Sequence, residues 1–189
     1  MMTEEQKNHL FKYDLMRPQV VFGEYMEQRL NGEPASLGSY IRANIQQDIL
    51  DWNLERGNTE FSVETEVVMF QEEIEEEVAA REVGDIHEEV DALCDQYVVY
   101  TGTLGKSGLR WEKIAHHEKL GKEFLVKYQQ IPALVEQLGY RFESCMAETL
   151  KEIDSRVGSV NPETGKWEKD RSPKAQAKWY KADYSRCKL

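Results

Sequence analysis

The sequence predicts an all-α chain: a helical bundle built around an antiparallel helix hairpin, at about 63–82 and 86–104, with a partly irregular basic C-terminal tail. Two observations carry this. Apolar residues recur at three-to-four spacing through most of the chain, and no β-branched alternation competes with that period. The nearest rival, Val98-Val99-Tyr100, simply continues a helical pattern.

The elements follow in order. Pro18 sits at a first helical position, and the segment to Leu30 keeps helical spacing until Asn31-Gly32. Gly32 to Ser36 reads as a loop. A second helix from Leu37 to Arg56 places Ile41, Ile45, Ile49 and Trp52 on one face, and Gly57 closes it. Ser62 is a suitable N-cap for the third helix, Val63 to Glu82, whose apolar stripe is Val67, Phe70, Ile74 and Val78. The fourth, Ile86 to Leu104, turns Ile86, Val90, Leu93 and Tyr97 inward, and Gly105 to Gly108 reverses the chain. A fifth is expected over Leu109–Gln130. A sixth, from Pro132 to Arg156, carries Leu134, Leu138, Phe142 and Met146. Val157 to Ser172 reads as a long loop, and Ser172-Pro173 starts a short helix through Tyr180. The chain thus divides into a helical domain, 1–156, and a basic tail or lid, 157–189.

Charge is placed unevenly. The net charge is −11, yet 60–95 hold fourteen acidic residues against the single Arg81, while 151–189 hold ten basic and six acidic ones. Such a chain is poorly suited to wrapping duplex nucleic acid, which demands Lys and Arg. No apolar run approaches the ~20 residues of a membrane span. The polar, acidic start does not resemble a signal peptide, and three widely spaced cysteines do not form a disulfide framework. A reducing cytoplasm is the expected setting.

The acidic residues fall into two rows. At 100° per residue, Glu72 and Glu76 lie opposite the buried face of their helix, while Glu73 and Glu77 flank its edge. On the next helix Glu88, Asp91 and Asp95 share one narrow sector of an otherwise apolar surface. Across the Gly84 turn, Glu76 and Asp91 fall at the same height, on the order of 11 Å from the turn at ~1.5 Å per residue. Glu72 and Glu73 match Asp95 in the same way. Facing carboxylates repel unless a cation lies between them. An all-oxygen donor set selects Mg²⁺, with Mn²⁺ as an alternative. The competing explanation is a solvated acidic face: a non-catalytic helical interaction module that binds a basic protein partner.

The run Glu72-Glu73-Ile74-Glu75-Glu76, then Gly84-Asp85, then Glu88-Glu89-Val90-Asp91, resembles the E-E-x-x-E … E-x-x-D signature of the all-α nucleoside triphosphate pyrophosphohydrolases. These include MazG-like, phosphoribosyl-ATP pyrophosphohydrolase-like and dimeric dUTPase-like enzymes. Asp91 to Thr103 is similar to their D-x-x-x-D-x-x-Y-V-x-x-G-T segment, and Trp52 to Gly57 resembles W-x-x-x-R-G. Gly165-Lys166-Trp167-Glu168-Lys169 is weakly similar to a G-K-x-x-K segment. The good part of the match covers about 52–108. Where the family often carries a lysine before the first glutamate pair, this chain has Val68, Met69 and Phe70.

The resemblance implies Mg²⁺-dependent hydrolysis of a standard or modified nucleoside triphosphate to a monophosphate and pyrophosphate, in a homodimer or homotetramer. It implies Glu73, Glu76, Glu88 and Asp91 as metal ligands, with Glu72 as ligand or general base beside Glu73. Asp95 would hydrogen-bond a metal-bound water or a sugar hydroxyl. Trp52 and Arg56 would contact the nucleotide, Trp52 either stacking on a base or packing in the core. Lys166, Lys169, Arg171 and Lys174 either close over a polyphosphate or only solubilise the tail. His87-Glu88-Glu89-Val90-Asp91 lacks the second histidine of a zinc-protease helix, and His116 and His117 point apart on a helix.

Overall fold

The computed structural model describes residues 37–107, 113–161 and 167–189, with side chains from Asn44 onward and excluding that of Val160. The helix expected over Pro18–Leu30, the onset at Leu109, Gly108 and Lys166 lie outside the described residues. Helix accounts for 71% of the interpretable residues, so the class is all-α. Among the described residues, no helix is long and apolar enough to cross a membrane.

The elements are α1 (Leu37–Glu55), α2 (Val63–Val83), α3 (Ile86–Lys106), α4 (Phe124–Gln137), α5 (Phe142–Ser155), strands β1 (Gly158–Val160) and β2 (Trp167–Lys169), and α6 (Pro173–Gln176). A π-helical turn at Glu118–Glu123 leads into α4, and a 3₁₀ turn at Tyr184–Arg186 precedes the C-terminus.

Helix α3 is the axis of the bundle, packed against α1, α2, α4 and α5. Its sequence explains this position, because Val90, Leu93, Cys94, Tyr97, Tyr100 and Leu104 surround it with apolar surface and all are buried. Burying each such large apolar side chain contributes about 1.5–3 kcal/mol. Aromatic rings tie the axis to its neighbours. Tyr128 of α4 stacks on Tyr97 and Tyr100, with centroids 4.7 and 4.8 Å apart, and Phe70 of α2 meets Phe124 at 4.6 Å.

The hairpin forms as its sequence predicts. Ser62 caps α2 by accepting from the Thr65 N–H, Gly84 makes the left-handed turn, and Asp85 caps α3 by accepting from the His87 and Glu88 N–H groups. Two residues expected inward are exposed instead, Val78 at 44% and Ile86 at 47%. Both lie near the turn, where 81–88 are exposed throughout.

Other expectations are corrected. Pro132 does not open a helix; it lies inside α4, where Tyr128, Ile131 and Val135 bury one continuous face. The break comes at Gly139, whose φ of +88° suits glycine, and which is followed by a bridge between Tyr140 and Lys188. Before α4 the chain enters through the π-helical turn, and His117 is its cap, accepting from the Leu120 N–H.

The stretch after α5 is not wholly a loop. Gly158–Val160 pairs antiparallel with Trp167–Lys169. A Cβ at residue 158 would collide with the Trp167 indole and the Glu168 carbonyl, so glycine is what lets the two strands close. Helix α6 is shorter than expected. The chain leaves it extended because the Tyr180 N–H donates to Ser155 Oγ at 2.8 Å, which draws the tail along α5.

Three buried carboxylates have structural partners. Glu66 meets Lys106 at 2.6 Å and accepts from Thr103; Glu77 meets Lys127 at 2.7 Å and also accepts from Gln96 and Arg81; Glu89 accepts from Arg81 at 2.8 Å. With side-chain exposures of 5% and 1%, Lys106 and Glu66 form a desolvated pair. Replacing Lys106 by Met leaves Glu66 buried without its charge partner. Urea denaturation should register a loss of about 3–5 kcal/mol, partly recovered in the Glu66→Gln/Lys106→Met double variant.

Candidate functional site

A cleft of about 760 Å³ opens beside the hairpin. One wall is α1 and the loop after it, with Trp52, Arg56 and Phe61. The floor is α2 and α3, with Met69, Glu73, Asp95 and Val99. Adjoining Trp52 are Arg156 at the end of α5, Trp167 and Lys169 of β2, and Arg171. The cleft therefore has carboxylates on its floor and a cationic, aromatic rim.

The hairpin pitch sets the exposure of the acidic residues. Glu72 and Glu76 are exposed and Glu73 is half-buried at the α2–α3 seam, as the 100° spacing predicts. Glu73 Oε2 is buried without a hydrogen-bond partner. Burial pushes the Glu73 carboxyl up to about 8, helped by the negative charges of Asp95, Glu76 and Asp91 and opposed by Lys169. Asp95 is raised to about 7, first by burial and then by Asp91; Arg156 and Lys169 act against this. Lys169 is held below its ordinary value by partial burial and by Arg156, against the pull of Asp95 and Glu73. These mutual influences place Glu73, Asp95, Arg156 and Lys169 in one electrostatic cluster.

The structure does not bring all the predicted ligands together. Among the described residues, no group of three carboxylate, imidazole or thiol side chains is arranged to hold a metal ion. The cage expected from spacing is therefore not assembled in this arrangement, and Asp91 shows the reason. Its Oδ2 accepts from Lys181 at 3.0 Å and its Oδ1 from the Tyr184 hydroxyl at 2.5 Å, both from the C-terminal segment. Glu88 is exposed, with Lys181 at 3.9 Å. The donor set is nonetheless all oxygen, the kind a hard divalent cation prefers, and one buried carboxylate oxygen, Glu73 Oε2, has no partner.

Trp52 and Arg56 reach the cleft, though neither is free. The Trp52 indole N–H donates to the Ile153 carbonyl at 3.3 Å, and Trp167 meets Trp52 edge-on at 6.1 Å. The Arg56 guanidinium lies 4.6 Å from the Trp52 ring centroid and pairs with Asp154 at 3.2 Å. It thus braces the aromatic wall more than it offers a free charge. Sequence reasoning missed Arg156, Trp167, Lys181 and Tyr184 as members of the site. Two turn-flanked short runs around 161–165 were the available signal for the strand that carries Trp167. Nothing local foretells which helix the tail lies on.

No family model, curated protein or solved structure matches the chain.

The unpartnered Glu73 carboxyl has a consequence for stability. Its folded-state value near 8 lies above the ordinary 4.5, so in between the folded chain retains a proton that the unfolded chain has lost. The stability contribution is complete below the unfolded value and is lost as pH rises through the folded one. In metal-free buffer, Glu73→Gln should match the wild type in Tm near about pH 5 and exceed it by a few degrees near about pH 8.5. An equal gap at both pH values would contradict the assigned environment.

Proposed function

We propose that the chain is a divalent-cation-dependent hydrolase of nucleoside triphosphates, releasing a nucleoside monophosphate and pyrophosphate. One observation carries the reading: the same cleft is lined by the unpartnered Glu73 carboxyl and Asp95 and by Arg156, Lys169 and Arg171. A polyphosphate with its metal needs both halves, oxygen donors for the cation and cations for the remaining phosphate charge. The resemblance in 52–108 points the same way, and Arg156, Lys169 and Arg171 would supply the positive charge absent before the glutamate pair.

Glu73, Glu76 and Asp91 would hold the ion, with Glu88 at the exposed edge. A Mg²⁺ or Mn²⁺ ion there supplies charge neutralisation and lowers the pKa of bound water. The chain's own residues do the rest. Arg156, Lys169 and Arg171 draw in the phosphates and stabilise the charge that develops on departing pyrophosphate. Once the charge of a bound cation has drawn off the proton that burial keeps on Glu73, Oε2, with no competing donor, would accept a proton from the water that attacks the α-phosphorus. Glu72 is exposed and does not line the cleft, which makes it a weaker candidate for that role. Trp52 and Trp167 offer apolar surface to the base, and Val98 and Val99 help keep water from the floor.

The test is pyrophosphate release from a panel of nucleoside triphosphates with Mg²⁺. Glu73→Gln and Asp91→Asn should each lower kcat/KM by on the order of 100-fold or more. Activity equal in all three proteins, or none in any with every nucleotide, would sink the reading. The exposed row Glu72, Glu75 and Glu76 favours a second reading, an acidic surface that docks a basic protein. In that case Glu73→Gln is silent, and charge reversal of the exposed row abolishes binding.

A further inference from the structure

Three cysteines far apart in the sequence meet in the folded chain. Cys94 lies on α3, Cys145 on α5, and Cys187 directly after the 3₁₀ turn of the C-terminal segment. All are free thiols, and all are buried in one core. Cys145 is the middle one. The Cys94 thiol, and after it the Cys187 thiol, hydrogen-bonds to the Cys145 sulfur and holds Cys145 below its ordinary value, against the opposing effect of burial. The backbone shows the same approach. The Arg141 N–H donates to the Cys187 carbonyl at 2.7 Å, and the Cys145 N–H donates to the Arg141 carbonyl at 3.0 Å, so position 187 is registered one helical turn from Cys145. Among the described residues the thiols are not arranged to share a metal ion, which leaves thiol-to-thiol chemistry. The segment bearing Cys187 is held on α5 by separate hydrogen bonds, from the Tyr180 N–H to Ser155 Oγ at 2.8 Å and from the Ala182 N–H to Glu152 Oε2 at 2.7 Å. Its Tyr180 and Lys181 side chains face solvent. Such a segment opens locally at lower cost than the packed helices that carry Cys94 and Cys145.

We propose that Cys145 and Cys187 form a modification site for hydroperoxides, which join them in a reversible disulfide that fastens the C-terminal segment to α5. The pair is chosen by geometry. A disulfide needs its two backbones at a narrow range of separations, and the segment bearing Cys187 can adjust where two packed helices cannot. When the segment lifts, the Cys145 thiolate attacks one peroxide oxygen. The O–O bond breaks, Cys145 becomes a sulfenic acid, and the leaving hydroxide takes the thiol proton as water. When the segment returns, the Cys187 thiolate attacks the Cys145 sulfur. The S–S bond forms, the S–O bond breaks, and hydroxide leaves with the second proton as water. Two thiols give up two electrons and the peroxide accepts them. The cross-link closes a ring of chain from 145 to 187, and Arg156, Trp167, Lys169 and Arg171 of the cleft lining all lie within it. Oxidation thus restrains one part of the cleft whatever ligand the cleft takes.

The experiment treats the reduced full chain with hydrogen peroxide under native conditions, alkylates the remaining thiols in denaturant, and maps the peptides without reduction. A peptide pair joined through Cys145 and Cys187 within one chain is expected, with Cys94 alkylated, and dithiothreitol should restore both thiols. Hydrogen exchange reads the consequence in the same wild-type protein. The Ala182 and Leu189 amides should exchange on the order of ten-fold more slowly after oxidation and recover on reduction. A link between Cys94 and Cys145, links only between chains, or three alkylated cysteines after peroxide treatment would overturn the proposal. So would a Cys145–Cys187 link that leaves the exchange of both amides unchanged. None of these outcomes bears on nucleotide hydrolysis, which is read separately by pyrophosphate release.

Discussion

A buried carboxylate must find a positive charge, a hydrogen-bond donor or a proton, and the α2–α3 seam holds more carboxylates than any other part of this fold. How each one meets that demand orders the rest of the structure. Glu66, Glu77 and Glu89 find Lys106, Lys127 and Arg81 and thereby knit α2 to α3 and α4. Asp91 finds Lys181 and Tyr184 and thereby fastens the C-terminal segment. Glu73 Oε2 has no hydrogen-bond partner and burial keeps a proton on the group, which borders the cleft together with Asp95 and Glu66. This contrast separates carboxylates that hold the fold together from the one whose environment is left incomplete.

The cleft next to Glu73 is chemically divided. Its lining combines the carboxyls of Glu73 and Asp95, the basic Arg156, Lys169 and Arg171, and Trp52 braced by Arg56. A small anion alone would be repelled by the carboxylates, and a free cation alone by the basic side chains. A cation and a polyanion entering together satisfy both, and the tryptophans leave room for an apolar ring. The divided lining therefore favours a metal–polyphosphate ligand over either component by itself.

Much of this was legible in the sequence, for a local reason. The caps Ser62 and Asp85, the Gly84 turn and the apolar period of α3 all act within one or two helices. The hairpin and the exposure of Glu72, Glu73 and Glu76 therefore follow from spacing alone. Features set by distant contacts were not legible. Pro132 looked like a helix start, yet the buried face of Tyr128, Ile131 and Val135 carries α4 through it. Carboxylates 77 and 73 look alike in the sequence, and what distinguishes them is the partners Glu77 finds in Gln96, Arg81 and, from α4, Lys127. Lys181 and Tyr184 lie some ninety residues from Asp91, and no periodicity registers a tail against a helix.

The central claim is that the carboxylates at the acidic end of the cleft form a divalent-cation site. Anomalous diffraction from crystals of the full chain soaked in Mn²⁺ tests it most directly. The account predicts a manganese peak at the α2–α3 seam, in contact with the Glu73 carboxylate and lost in Glu73→Gln crystals. A peak confined to the exposed row Glu72, Glu75 and Glu76, or no peak along the hairpin, would contradict it.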